Sequence, residues 1–324
     1  MSNSAQVTKP VATNGKGRYP DVFICGAARC GTTFLWSALA AHPGVFMSSP
    51  KEPHFFAADL DTGSVGEGSF RVRDPSDYLA LFRRASPDQL VGEASTSTLI
   101  SHDAVPAILA VSPQARFIVS IRDPIEAIAS RHALLRGAGF ENLSLTDALR
   151  ADDDRALGKR RAPRPTFPWS FPYVGGASYG EHLSRLFDVV QRERVLVMLL
   201  DEIAANRQAA LTRVTEFLGL RPLEGDVEAE RNANRVQQSR LLFDAVYSPA
   251  TVSIAKRLVP AWAHARARRL ANSFNRAMRP SAARGPLDPQ LRDQLRAQLH
   301  DDVVLASRLL GDDLVARWWG AGPR

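Results

Sequence analysis

The chain is poor in cysteine. Cys25 and Cys30 are the only two in 324 residues. So few exclude a disulfide-stapled scaffold, and a bridge between these two would distort the loop that carries Cys30. Both read as reduced thiols in a cytoplasmic protein, and packing is the role expected for Cys30. Their spacing matches no metal motif and no Cys/His cluster follows, so no metal is expected. There is no run of eighteen apolar residues, which excludes a helical membrane span. No secretory signal is visible, because residues 1–18 are polar and read as a disordered tail. Internal repeats are absent too, which excludes solenoids. These absences describe a free-standing soluble protein.

The chain does have 45% hydrophobic content, enough for one large α/β domain over residues 19–324. Lys and Arg outnumber Asp and Glu by 41 to 34, a net charge of +7. That balance suits an anionic cofactor and an anionic acceptor. It would also suit nucleic acid, but the basic runs lack the aromatic interleaving that such binding needs, and no nucleic-acid partner is expected.

The most informative stretch is YPDVFICGAARCGTTFLWSAL, residues 19–39. It reads as a buried strand, a tight loop with Gly26, Arg29 and Gly31, and a helix opening at Thr32 or Thr33. Glycines let the backbone approach a phosphate, and the first free N–H groups of a helix point at it. The glycine spacing matches the nucleotide-triphosphate loop GxxxxGK, but no lysine follows Gly31. The cation lies inside the loop, at Arg29. An ATP-dependent phosphotransferase, the alternative reading, would need that lysine and Mg²⁺.

GAARCGTTFL resembles the 5′-phosphosulfate loop of sulfotransferases that use 3′-phosphoadenosine 5′-phosphosulfate (PAPS). The resemblance implies that Arg29 and the N–H groups of Cys30, Gly31, Thr32 and Thr33 hold the donor. Heparan-type members carry Lys where Arg29 stands. Arg forks onto two oxygens but is a poorer proton donor, which favours charge stabilisation of the bridging oxygen.

A second segment, Ala115 to Leu135, begins with the apolar run Phe117 to Ile121 and breaks at Arg122-Asp123-Pro124. The run reads as a strand, and Pro124 is placed to begin a helix. This is similar to the family's 3′-phosphate motif, with Ser130 eight positions after Arg122. By that match Arg122 and Ser130 hold the 3′-phosphate. Read without the resemblance, Arg122-Asp123 could equally be a structural ion pair.

Between these motifs, Ser49 to Phe56 follows a short predicted strand, Val45 to Met47. Related sulfotransferases carry a glutamate just before a His-Phe-Phe run, and Glu52 matches it. The resemblance implies a general base, tuned by Lys51 or His54, with His54 itself the other candidate base. Phe55 and Phe56 read as core. Gly92 to Ser97 is similar to an acceptor-lining segment, giving Glu93 and Ser95 as substrate-binding candidates, although Ser95 and Thr96 could be helix caps.

The remaining expectations concern architecture. Thr146 to Asp154 reads as a helix, and residues 155–172, bearing Arg155, Lys159, Arg160, Arg161 and Arg164, as a basic, proline-rich segment that is either a lid over the acceptor or, equally, a solvated loop. Asp201 to Leu218 reads as one helix ended by Gly219. Arg235, with Arg240 as alternative, matches a nucleotide-closing loop. A helical C-terminal part spans 237–319, and its basic stretch 256–279 could pack on the domain or touch a membrane surface. The fold implied is P-loop-like and three-layered, a central parallel sheet flanked by helices. The implied activity is in-line transfer of sulfonate from PAPS to a hydroxyl on a carbohydrate, glycolipid or small metabolite, with no metal.

Overall fold

Alternation along the strands decides the architecture. In β1 (Val22–Ile24), Val22 and Ile24 face one apolar cluster, while Phe23 and the following Cys25 face another. In β4 (Arg116–Ile121), Phe117, Val119 and Ile121 join the second cluster and Ile118 the first. A strand that buries both faces needs helices on both sides. The computed structural model, which describes residues 17–60, 72–137, 140–156, 159, 173–223 and 287–320, supplies them.

With β2 (Val45–Met47), β3 (Leu90–Ala94) and β5 (Val195–Leu199), the sheet is five-stranded, all parallel, in the order β2-β3-β1-β4-β5. One face is covered by α1 (Thr32–Ala41), α9 (Leu200–Ala205) and α10 (Arg207–Leu218), through Leu35, Leu39, Ile203, Val214 and Leu218. The other carries α4 (Ala104–Val111), α5 (Pro124–Gly137), α8 (Tyr179–Val189) and α11 (Pro289–Leu310). Short helices complete the described chain: α2 (Pro75–Ala80), α3 (Ser97–Ile100), α6 (Leu145–Arg150), α7 (Asp152–Ala156) and α12 (Leu314–Trp319). This is the three-layer, P-loop-like arrangement that the sequence implies.

The strand order places a crevice. The chain leaves β1 toward β2 on one side and leaves β4 toward β5 on the other, so the loops after β1 and β4 part above the sheet. Open α/β sheets bind ligands at such switch points. The two strand ends lie so close that a Cβ on Gly26 would fall 2.2 Å from the Ser120 backbone nitrogen, so only glycine fits there. Ala27 N–H donates to Ser120 O at 2.9 Å, and the Ser120 hydroxyl donates to Cys30 O, pinning the loop to β4.

Three element boundaries differ from the sequence reading. The expected helix from Asp201 to Leu218 is broken at Asn206, which leaves helical geometry and accepts the Ala209 N–H on its side chain, capping α10. The expected helix from Thr146 to Asp154 is two short ones, the first capped by Ser144. Arg155 is not a lid cation: it belongs to α7, and its side chain is buried against Glu141. Most of 155–172, together with Arg235, Arg240 and 256–279, lies outside the described residues. No helix among the described residues is long and apolar enough to cross a membrane.

Candidate active site

The loop and the helix start form where the sequence places them. Gly31, at φ 91°, caps α1 without any side-chain hydrogen bond, and no acidic residue occupies the first turn. The opening N–H groups of the helix therefore lack side-chain acceptors, and the local dipole favours an anion. Arg29 is held at φ 69°, a left-handed conformation that costs a non-glycine residue about 1–3 kcal/mol. Its Nε donates to Ser130 Oγ at 3.0 Å. The loop after β1 and the helix after β4 thus meet directly, although 101 residues separate them. Arg122 lies half-buried at the head of α5, and Asp123 accepts the Ile125 N–H at 2.8 Å instead of pairing with it.

Cys30 is fully buried, its thiol 3.6 Å from the Tyr179 hydroxyl, and burial pushes the thiol up to about 11. Its side chain packs, as expected, but its N–H donates to Ala27 O at 3.3 Å and its carbonyl accepts from Ser120, so the Cys30 backbone closes the loop's own turn and its N–H is not free for a donor phosphate. Cys25 is likewise buried and reduced.

Across the crevice, residues 51–54 carry two more left-handed residues, Glu52 at φ 63° and His54 at φ 52°. The three non-glycine residues at positive φ among the described residues all lie at this site, and such strain concentrates where function fixes geometry. Both oxygens of Glu52 are held. Lys51 Nζ lies 2.5 Å from Oε1, while Thr96 Oγ1 donates to Oε2 at 3.1 Å and His54 Nε2 lies 3.2 Å from it. Burial alone would raise the Glu52 carboxyl, but Lys51 and then His54 outweigh it and hold the carboxyl well below the usual carboxylate range. A third of the side chain stays exposed.

His54 is almost wholly enclosed, with Nδ1 2.7 Å from Ser97 Oγ and its N–H donating to Ser95 Oγ at 3.0 Å. Glu93 is 1% exposed on β3, accepts from the Tyr78 hydroxyl at 2.7 Å, and is pushed up by burial. Ser95 is equally enclosed. Neither Glu93 nor Ser95 lines open space; they build the wall behind His54. Phe55 stacks on Tyr78 at 4.2 Å, and Phe56 packs edge-on against Phe23.

Two contacts escape the linear sequence. Lys51 Nζ also reaches Thr32 Oγ1, at 3.4 Å, so a lysine from the loop after β2 arrives at the cradle that lacks one of its own. Arg131, beside Ser130, is buried with Tyr173, Tyr179, Glu52 and Asp152 around it, and burial lowers its pKa. The signal for Arg131 was its spacing: with Ile128 and Leu135 it falls on the buried face of α5. No cluster able to hold a metal ion occurs among the described residues.

A five-stranded parallel sheet with a glycine-capped helix start at its switch point, a second arginine-bearing corner beside it and a carboxylate opposite defines a protein of P-loop-like fold. The sulfotransferase family model matches residues 20–224, and the chain belongs to that family. It is 27% identical over 274 residues to mouse carbohydrate sulfotransferase 15, covering 71% of this chain and 49% of that protein. It is 28% identical over 228 residues to mouse heparan sulfate glucosamine 3-O-sulfotransferase 6, covering 70% and 60%. The chain therefore spans about half to three-fifths of the length of these relatives. The crystal structure of a sulfotransferase from Alicyclobacillus acidocaldarius shares the fold, with a TM-score of 0.67 at 24% identity over 92% of this chain and 98% of that one.

Proposed function

We propose that the protein transfers sulfonate from PAPS to a hydroxyl of a carbohydrate acceptor. The observation that carries this reading is the Arg29–Ser130 contact, which joins the two phosphate-type corners into one crevice facing Glu52. A donor phosphorylated at both the 3′ and 5′ positions of the ribose needs two such corners; ATP needs one corner, a lysine after Gly31 and a metal.

The residues divide the work. When bound, PAPS supplies an activated sulfonate on its 5′-phosphate. Arg29 and the opening N–H groups of α1, from Gly31 to Thr33, hold that phosphate, and Arg122 and Ser130 hold the 3′-phosphate. Glu52 takes the proton of the acceptor hydroxyl as its oxygen bonds to sulfur. The bond from sulfur to the bridging oxygen breaks, and its electron pair stays on the phosphate, where Arg29 stabilises the charge. His54, with both ring nitrogens engaged, positions Glu52 and is not itself the base. Glu93 and Ser95 support it from behind. A glycan acceptor is favoured by the names of the relatives and by the net charge of +7, which suits an anionic polysaccharide. The buried free thiols fit a cytoplasmic setting.

The test is transfer of labelled sulfonate from PAPS to a panel of heparan and chondroitin polysaccharides, with Glu52→Gln alongside. Wild type labels a polysaccharide; Glu52→Gln binds donor at least as tightly and turns over about a hundredfold more slowly or worse. Full turnover in Glu52→Gln would remove the base, and phosphate transfer from ATP–Mg²⁺ in place of sulfonate transfer would remove the reaction.

A further inference from the structure

Lys51 touches both halves of the site. Its ammonium lies 2.5 Å from Glu52 Oε1 and 3.4 Å from Thr32 Oγ1, the first residue of α1, and its side chain is 15% exposed. Thr32 itself is buried. The ammonium thus stands between the carboxylate that would take a proton and the helix start that would receive the donor. This arrangement poses a chemical problem. A carboxylate clamped by an ammonium is a weak base, and a general base works best with a pKa near the operating pH. The clamp must loosen when the reaction begins.

The groups around the carboxylate show what can move. On its own loop are Lys51 and His54. From β3 comes Glu93, fully enclosed and hydrogen-bonded to Tyr78; from the entry to α3 comes Thr96; from α5 comes Arg131, buried in its helix. His54 is fixed by Ser97. Lys51 alone combines a flexible four-carbon stem with a second polar partner already in the cradle.

Building on the reading of Glu52 as base, we propose that Lys51 is a catalytic cation shared between base and donor. In the free protein it neutralises Glu52. When the anionic donor settles on the N-terminus of α1, the ammonium shifts along Thr32 onto the sulfonate oxygens and releases Glu52 to accept the acceptor proton. One lysine then does two things: it supplies the charge that the loop after Gly31 lacks, and it keeps the base inactive until a donor is present. No bond is made or broken in this step, and the proton on Lys51 stays there throughout.

The test follows the Glu52 carboxyl by NMR in the full chain labelled at glutamate side chains, with the signal assigned by its loss in Glu52→Gln. Its titration midpoint is measured free, with adenosine 3′,5′-bisphosphate, and with PAPS. In wild type, PAPS raises the midpoint by about one pH unit or more. In Lys51→Met the midpoint is already raised without donor and no longer responds to it, and kcat falls by roughly tenfold or more while the acceptor KM barely changes. A wild-type midpoint that ignores PAPS, or wild-type kcat in Lys51→Met, overturns the proposal. The two readings fail separately: an active Glu52→Gln removes the base and this proposal with it, whereas an inactive Glu52→Gln with an unresponsive midpoint removes only the sharing by Lys51.

Discussion

The contact between Arg29 and Ser130 makes a quantitative prediction about nucleotide binding. If each residue held its own phosphate independently, replacing each by alanine would cost affinity additively. A hydrogen bond involving a charged group contributes about 1.5–3 kcal/mol. At about 1.4 kcal/mol per tenfold change, each single variant should then bind adenosine 3′,5′-bisphosphate roughly 10- to 150-fold more weakly. The two side chains, however, are 3.0 Å apart, with Arg29 Nε donating to Ser130 Oγ. On the proposed reading, removing Ser130 therefore also releases the guanidinium assigned to the 5′ end, and removing Arg29 also frees the hydroxyl assigned to the 3′ end. Residues in contact show interaction energies of about 0.5–3 kcal/mol, against about 0.3–0.5 for distant ones. The double variant should lose less than the sum of the singles by about 1 kcal/mol or more. Isothermal titration of wild type, Arg29→Ala, Ser130→Ala and the double variant measures this, with thermal unfolding to confirm that each is folded. Additivity within about 0.5 kcal/mol would show that the corners act separately and would refute the reasoning.

Two further outcomes test the frame around the site. Glu141 is fully buried and accepts from Arg155 at 2.6 and 3.0 Å, from the Tyr173 hydroxyl at 3.1 Å and from the Asn142 and Leu143 N–H groups at 2.9 Å. Glu141→Ala strands a buried guanidinium and should cost about 3–5 kcal/mol in urea unfolding; a loss below about 1 kcal/mol would contradict the reading of this pair. The His182 ring donates from Nε2 to Gly175 O and accepts at Nδ1 from Arg185, both at 2.8 Å, so the neutral form is built in. Burial, and then Arg185, push it down to about 4. The unfolded chain therefore takes up this proton first, and stability present above about pH 6.5 is lost as the pH falls toward 4. Between pH 7 and 5 this group should remove about 2 kcal/mol in denaturant titrations, a slope that His182→Gln abolishes; an unchanged slope in that variant would assign the acid sensitivity elsewhere.

What could be read in the chain was local chemistry with fixed spacing. Gly26, Arg29, Gly31 and the threonine pair declare a cradle because few other tasks need those residues in that order, and Arg122-Asp123-Pro124 declares a strand ending in a helix. Apolar runs such as Phe117 to Ile121 marked strands, and the parallel sheet that joins them was implied by the family resemblance of the two motifs. What could not be read depends on folding. Asn206 looks like an ordinary helix residue until its side chain caps the next helix. Glu93 looks like a pocket carboxylate until β3 turns it inward onto Tyr78. Arg155 counts as a lid cation until Glu141, 14 residues earlier, takes it into the interior. Lys51 reads as a neighbour of Glu52, and only the packing of the loop after β2 over α1 brings it to Thr32, 19 residues away.

The most direct measurement is a crystal structure with adenosine 3′,5′-bisphosphate. The account predicts the 5′-phosphate on the N–H groups of Gly31 to Thr33 beside Arg29, the 3′-phosphate on Arg122 and Ser130, and Glu52 facing the empty sulfonate position. A nucleotide bound elsewhere, or one that leaves Arg29 and Arg122 untouched, would contradict it.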